Sequence, residues 1–235
     1  MNLVLWDIDR TLLYTGDIDR QVYREAFTAA VGRPPESLPA RGTGVTMPLA
    51  VRALLTSNSI PADCLDALAD RIIEELPDRL EAHRESIARD GIVLPGAREA
   101  LAAVHRTRHL VPSVVTGNLR ESAVVKLSVL ELDRYLDLSI GAYASDSAHR
   151  PSLVGIAQQR AASAHGVAFS QANTVIIGDS LQDVITGQQG GARVIGVASG
   201  TTSVQQLNEA GADHVLPDLM DSDRLLRLLT HLGNV

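Results

Sequence analysis

The first residues in the chain able to do chemistry are Asp7 and Asp9, which follow the apolar run "NLVLW" in the stretch "MNLVLWDIDRTLLYTGD". Alternate side chains of an extended strand point the same way, so both carboxylates face one small volume and Ile8 faces the other. Two like charges at close range raise each other's pKa unless a cation or a shared proton intervenes. An acidic pair can also simply close a turn, so its meaning depends on what else reaches the same place.

Two further apolar runs end in polar groups. The run "VPSVVTGN" brings Thr116, Gly117 and Asn118 to its end. A hydroxyl, a permissive glycine and the N–H groups that open the next helix form an anion site, although Asn118 on its own reads as a helix N-cap. The run "NTVIIGDSLQDV" places Asp179 at a strand end and Asp183 four residues later, one helical turn on and close to it. An acid that favours a helix dipole accounts for one of these residues. Four acids at one edge, Asp7, Asp9, Asp179 and Asp183, call for a hard divalent cation with oxygen ligands, and Mg2+ is the natural candidate.

These groups meet only if their runs are neighbouring strands. Short Val, Ile and Leu-rich runs recur as "NLVLWDI", "LVPSVVTG", "LDLSIGAY", "NTVIIGD", "ARVIGVAS" and "ADHVLPD", and unbroken apolarity at strand length marks strands buried on both faces. Helical patterns separate them at about Gly96 to Arg108, Leu119 to Leu130, Ser152 to His165, Leu181 to Gly190, Val204 to Ala210 and Asp221 to Leu232. Alternation of this kind predicts an α/β fold, a Rossmann-like three-layer parallel sheet whose ligands bind at the carboxyl ends of the strands. From Gly16 to Asp90 the alternation stops and only helical patterns appear, among them "RQVYREAFTAAV" and "MPLAVRALLTS". That block is too long for an ordinary crossover. We therefore expect an α/β core of residues 1–15 and 91–235 carrying an inserted all-α cap of residues 16–90, with glycines at the joins as hinges.

Composition narrows the functions available. A hydrophobic fraction of 45% supports a packed core, and the formal charge of −7 argues against nucleic-acid or membrane-surface partners, which need concentrated positive charge. A small molecule is the expected partner. Cys64 is the only cysteine, which excludes an internal disulfide and fits a cytoplasmic protein. Lys126 is the only lysine, so nearly all positive charge is arginine.

Taken in order, D-x-D-x-T-L, T-G-N and G-D-S-x-x-D, each at a strand end, resemble the haloacid dehalogenase superfamily of phosphotransferases, in particular its phosphoglycolate-phosphatase-like members with a helical cap between the first two motifs. The resemblance covers essentially the whole chain. It implies a magnesium-dependent phosphatase acting on a small phosphorylated metabolite, with Asp7 as the nucleophile and Asp9 as general acid and base. It also implies that Thr116 holds the phosphoryl oxygens and that Asp179 and the Asp9 backbone carbonyl ligate the metal, supported by Asp183. The family usually has a lysine between the second and last motifs, and here "HRPS" offers Arg150, which can clamp phosphate bidentately. Lys126 looks like a poor substitute, being inside the helix after the T-G-N turn. Arg10, standing where the family often has glycine, is expected at the site entrance. Arg41 and Thr43, in "ARGTGVTMP", are candidate substrate contacts in the cap. Asp9 argues against a dehalogenase, and the absence of a cap lysine argues against a phosphonatase. A phosphomutase, or a catalytically impaired binding or regulatory protein on the same fold, are the alternatives.

Overall fold

The computed structural model describes residues 1–40 and 44–232. The chain opens with β1 (Asn2–Trp6) and a short β2 (Leu13–Tyr14), then runs through four helices, α1 (Ile18–Val31), α2 (Met47–Ser57), α3 (Leu65–Ala82) and α4 (Arg84–Asp90). After β3 (Ile92–Val93) the alternation begins: α5 (Ala97–Arg106), β4 (Leu110–Val114), α6 (Arg120–Val129), α7 (Ser152–His165), β5 (Thr174–Gly178), α8 (Leu181–Gly190), β6 (Arg193–Val197), α9 (Val204–Glu209), β7 (His214–Leu216) and α10 (Ser222–Leu232).

Five strands form one parallel sheet in the order β4-β1-β5-β6-β7. The two faces of β1 go to different packed layers. Val4 and Trp6 join the apolar cluster of α5, α6 and α10, while Leu3 and Leu5 join Leu153, Val154 and Val184 of α7 and α8. Helices therefore cover both faces, which is why these strands read as continuous apolar runs. β1 lies between β4 and β5, so the chain segments leaving these three strands emerge side by side. That juxtaposition brings the polar strand ends together.

The expected strand "LDLSIGAY" forms only an isolated bridge, Val115 to Ala142. It runs along the outer edge of β4, where Pro112 accepts from the Asp137 N–H, and is broken by the Asp137 carboxylate accepting from both the N–H and the hydroxyl of Ser139. That side-chain turn replaces ladder pairing, and Pro112 suits an edge position because it has no N–H to donate there.

Among the described residues from Gly16 to Asp90 the regular structure is all helical, and the two-stranded antiparallel β2–β3 ribbon joins the two ends of the segment. Between α3 and α4 the backbone leaves helical geometry at His83. Among the described residues, no helix is long and apolar enough to cross a membrane.

Candidate active site

Three carboxylates, Asp7, Asp179 and Asp183, lie at the carboxyl ends of β1 and β5, each offering an oxygen within 4.8 Å of the others. All three are buried. Asp183 is held locally: as the third residue of α8 it accepts from the N–H and hydroxyl of Ser180, the helix N-cap, closing a reciprocal capping box. Asp179 accepts from the Thr11 hydroxyl at 3.1 Å. A Cβ on Gly200 would overlap an Asp179 carboxylate oxygen, so any side chain there would have to displace that carboxylate.

Arg150 enters this cluster from the loop before α7. Its Nη2 donates to Asp7 at 2.8 Å and to Asp183 at 2.5 Å, and its Nη1 donates to the Gly44 carbonyl. Arg150 is 5% exposed, and among the described residues its Nε has no partner. Among the described residues, one buried cation thus faces three carboxylates. The all-oxygen donor set and the uncompensated charge fit a hard divalent cation.

Asp9 does not join this cluster. Its carboxylate accepts from Lys126 Nζ at 2.8 and 3.0 Å and from Asn118 Nδ2 at 2.7 Å. Asp7 and Asp9 line the same cavity, as the strand alternation predicts, but their carboxylates take different partners. After Trp6 the backbone turns, Leu12 and Leu13 donating to the Ile8 carbonyl, and Arg10 adopts φ +64°. Asp9 therefore differs from the expectation that its side chain sits with the metal-ligating acids.

The expectation for Lys126 also needs correction. It lies within α6, as the periodicity indicates, but its side chain is 1% exposed and reaches the site. Besides Asp9, its ammonium donates to Asp19 at 2.9 Å and to Asn118 Oδ1 at 3.0 Å. Asn118 is not the helix N-cap, which is Leu119. Its amide links Thr116, whose hydroxyl accepts from Asn118 Nδ2 at 2.9 Å, to Asp9. The N–H groups expected to be free for an anion are partly taken, Leu119 donating to Met47 Sδ and Arg120 to the Ser145 hydroxyl.

Asp7, Asp9, Asp179, Thr116, Gly117, Asn118, Lys126 and Arg150 line one cavity of about 180 Å³. Its other wall comes from the helical segment, with Arg20 and Tyr23 of α1, Met47 and Ala50 of α2, and Gly44 and Val45 before it. This wall rests on the T-G-N turn: the Met47 N–H donates to the Gly117 carbonyl at 2.7 Å, and a Cβ on Gly117 would meet the Val45 carbonyl at 2.8 Å. Arg10 lines the same cavity, its guanidinium 4.9 Å from the centre of the Tyr14 ring. Its left-handed backbone explains why glycine would be at ease at this position. Arg41 and Thr43 lie outside the described residues.

Burial, followed by repulsion from Asp183, holds the Asp7 carboxyl well above its usual range, and the same two causes push Asp179 up to about 7. In the folded protein these acids keep protons that the unfolded chain releases near pH 4. The folded state binds more protons than the unfolded chain above pH 4, so this contribution to stability falls as pH rises, for Asp179 from about 4 to about 7. Thermal melts of metal-free protein should show a decline in Tm across that window from this source. A divalent cation should recover it at pH 8 and do little at pH 5; equal stabilisation at both pH values would contradict the coupling. For Lys126, burial opposes the charge, but Asp19 and Asp9 outweigh it and raise its pKa above the ordinary value.

Sequence reasoning missed Lys126 and Asp19. The signal was present: Lys126 shares a helix face with Ser122, Ala123 and Leu127, all buried, and a charge on a buried stripe requires a partner.

The sequence matches the haloacid dehalogenase-like hydrolase family over residues 4–186 and a HAD-hydrolase-like family over residues 151–222. No curated protein sequence gives a significant match. Among solved structures the fold is similar to a hydrolase from Pseudomonas syringae, with 22% identity, 97% of this chain and 98% of that chain covered, and a TM-score of 0.69. It is also similar to a predicted phosphatase from Clostridium acetobutylicum, with 19% identity, 96% and 98% covered, and a TM-score of 0.68. A haloacid dehalogenase-like hydrolase from Streptococcus pneumoniae matches at 14% identity, with 97% and 98% covered and a TM-score of 0.64. The aspartates at the ends of β1 and β5 lie inside the first matched region, and with that match spanning most of the sequence the chain belongs to the haloacid dehalogenase-like hydrolase family.

Proposed function

We propose that the protein is a magnesium-dependent phosphatase that hydrolyses a small phosphate monoester through a phosphoryl group carried on Asp7. The observation that supports this best is the position of the Asp7 carboxylate, at the end of β1, on the cavity wall, and in contact with a buried arginine. In this reading an Asp7 oxygen attacks phosphorus, the ester P–O bond breaks, and Asp9 gives its proton to the departing alkoxide. Asp9 then takes a proton from water as the water oxygen attacks phosphorus, which releases inorganic phosphate and restores Asp7. Thr116 and Arg150 orient the phosphoryl oxygens through donors fixed in advance by their surroundings. Asp7, Asp179 and Asp183 would hold the Mg2+, which when bound offsets the repulsion between the Asp7 carboxylate and the anionic ester.

Residues 16–90 act in this proposal as the cap on a core of residues 1–15 and 91–235, and the cavity wall formed by α1, α2 and the segment before α2 supports that division. The predicted phosphatase among the similar structures is consistent with the activity. The contact of Arg150 with Asp7 and Asp183 supports an active enzyme over an impaired binding protein, because the expected cation is present where the family's lysine would act. A panel of alkyl, aryl and sugar phosphates, assayed for inorganic phosphate with magnesium and with chelator, tests the proposal. We expect turnover of at least one ester with magnesium and loss of it with chelator. No turnover across the panel would favour the binding protein, and isomerised phosphate esters without free phosphate would favour a phosphomutase.

A further inference from the structure

Among the described residues, Lys126 is the one buried cation at the cavity that the proposed chemistry leaves without a task. Its ammonium donates to both oxygens of Asp9, to Asn118 and to Asp19. Burying a flexible, strongly hydrated ammonium is costly unless its partners are fixed, and here they come from three separate places. Asp9 follows β1, Asn118 follows β4, and Asp19 lies in the first turn of α1, where the Thr15 hydroxyl also holds it at 2.9 Å. Asn118 adds a second restraint on Asp9 while hydrogen-bonding the Thr116 hydroxyl. The Asp9 carboxylate is thus gripped by two donors, and one of them is tied to the first helix of the helical segment.

We propose that Lys126 is a positioning residue: it fixes the carboxylate of Asp9 for proton transfer and, through Asp19, registers α1 against that carboxylate. The inference rests on the phosphatase reading of the site. An alkoxide needs a proton as it leaves, whereas the phenolate of a nitrophenyl phosphate leaves without one, so displacement of Asp9 affects the two esters unequally. The ratio kcat/KM reports steps up to departure of the leaving group and avoids the later hydrolysis step.

The test compares kcat/KM for an alkyl phosphate and p-nitrophenyl phosphate, in wild type, Lys126→Met, Asp9→Asn and the double variant. Lys126→Met should lose on the order of ten- to a hundredfold with the alkyl ester, a part of the usual general-acid contribution, and only about threefold with the aryl ester. Because Lys126 acts through Asp9, the double variant should be no slower than Asp9→Asn. Lys126→Gln, which fills similar space and keeps donors, is read in the same way if Lys126→Met does not fold. Asp19→Asn should raise KM for both esters more than it lowers kcat. Equal losses on the two esters, or multiplied losses in the double variant, would overturn the assignment while leaving the phosphatase reading intact. A wild type that turns over neither ester would overturn both.

Discussion

Asp7→Asn is expected to abolish magnesium-dependent phosphate release, by roughly 10⁴-fold or more, the scale seen when an essential nucleophile is removed. The amide has nearly the shape of the carboxylate but supplies no anionic oxygen to attack phosphorus. The same change should make the metal-free protein more stable. Burial and the neighbouring Asp183 disfavour the charged form of Asp7, so removing that charge relieves repulsion in a buried cluster. A gain of about 0.5–2 kcal/mol is typical when a site adapted to function is relaxed. Denaturant melts at pH 8, beside phosphate-release assays, check both outcomes together. Loss of activity through unfolding would show the opposite stability change.

The second large effect is expected at Arg150. Replacing it with methionine leaves Asp7, Asp179 and Asp183 buried without the cation that faces them, and breaking a buried pair by removing one partner costs about 3–5 kcal/mol. The stability of the metal-free variant should fall by that order at pH 8 and by less at pH 5, where more of the carboxyls hold protons. Activity should fall by roughly 10²–10³-fold, as when a fixed donor to a transition-state oxygen is removed. Arg150→Lys should retain most of the stability, because an ammonium still provides charge. It should recover only part of the activity, since a shorter side chain ending in a point charge lacks the planar fork by which Nη2 reaches Asp7 and Asp183 while Nη1 reaches the Gly44 carbonyl. Urea melts at both pH values and steady-state kinetics separate the charge from the geometry.

The parts of this site that were legible in the sequence are those fixed by the backbone. A buried parallel strand shows as an unbroken apolar run, and the polar residue that ends it must lie at the carboxyl edge. That reasoning located Asp7, Thr116 and Asp179, and the helix turn after β5 located Asp183 near them. Arg150 was placed through family resemblance, and the structure puts its guanidinium against Asp7 and Asp183.

What pattern did not reveal depends on side-chain direction and on contacts between distant segments. Lys126 and Asp9 are 117 residues apart, and the position of a lysine on a helix does not show how far its four-carbon stem reaches. Asp7 and Asp9 share one cavity, as the period-two reading expects, but that their carboxylates pair with different cations, Arg150 and Lys126, does not show in a strand pattern. The two-residue strands β2 and β3 are too short to show a period at all. "LDLSIGAY" has the composition of a strand, but the Asp137 to Ser139 turn diverts it.

In the proposed reaction the phosphoryl group passes through the Asp7 carboxylate. Acid-quenching the enzyme during turnover of an aryl phosphate with magnesium, followed by mass spectrometry of its peptides, tests that claim directly. We expect a phosphoryl adduct on the peptide carrying Asp7 in wild type, increased in Asp9→Asn, which slows the second step, and absent in Asp7→Asn. Steady phosphate release with no adduct on that peptide, undiminished in Asp7→Asn, would contradict it.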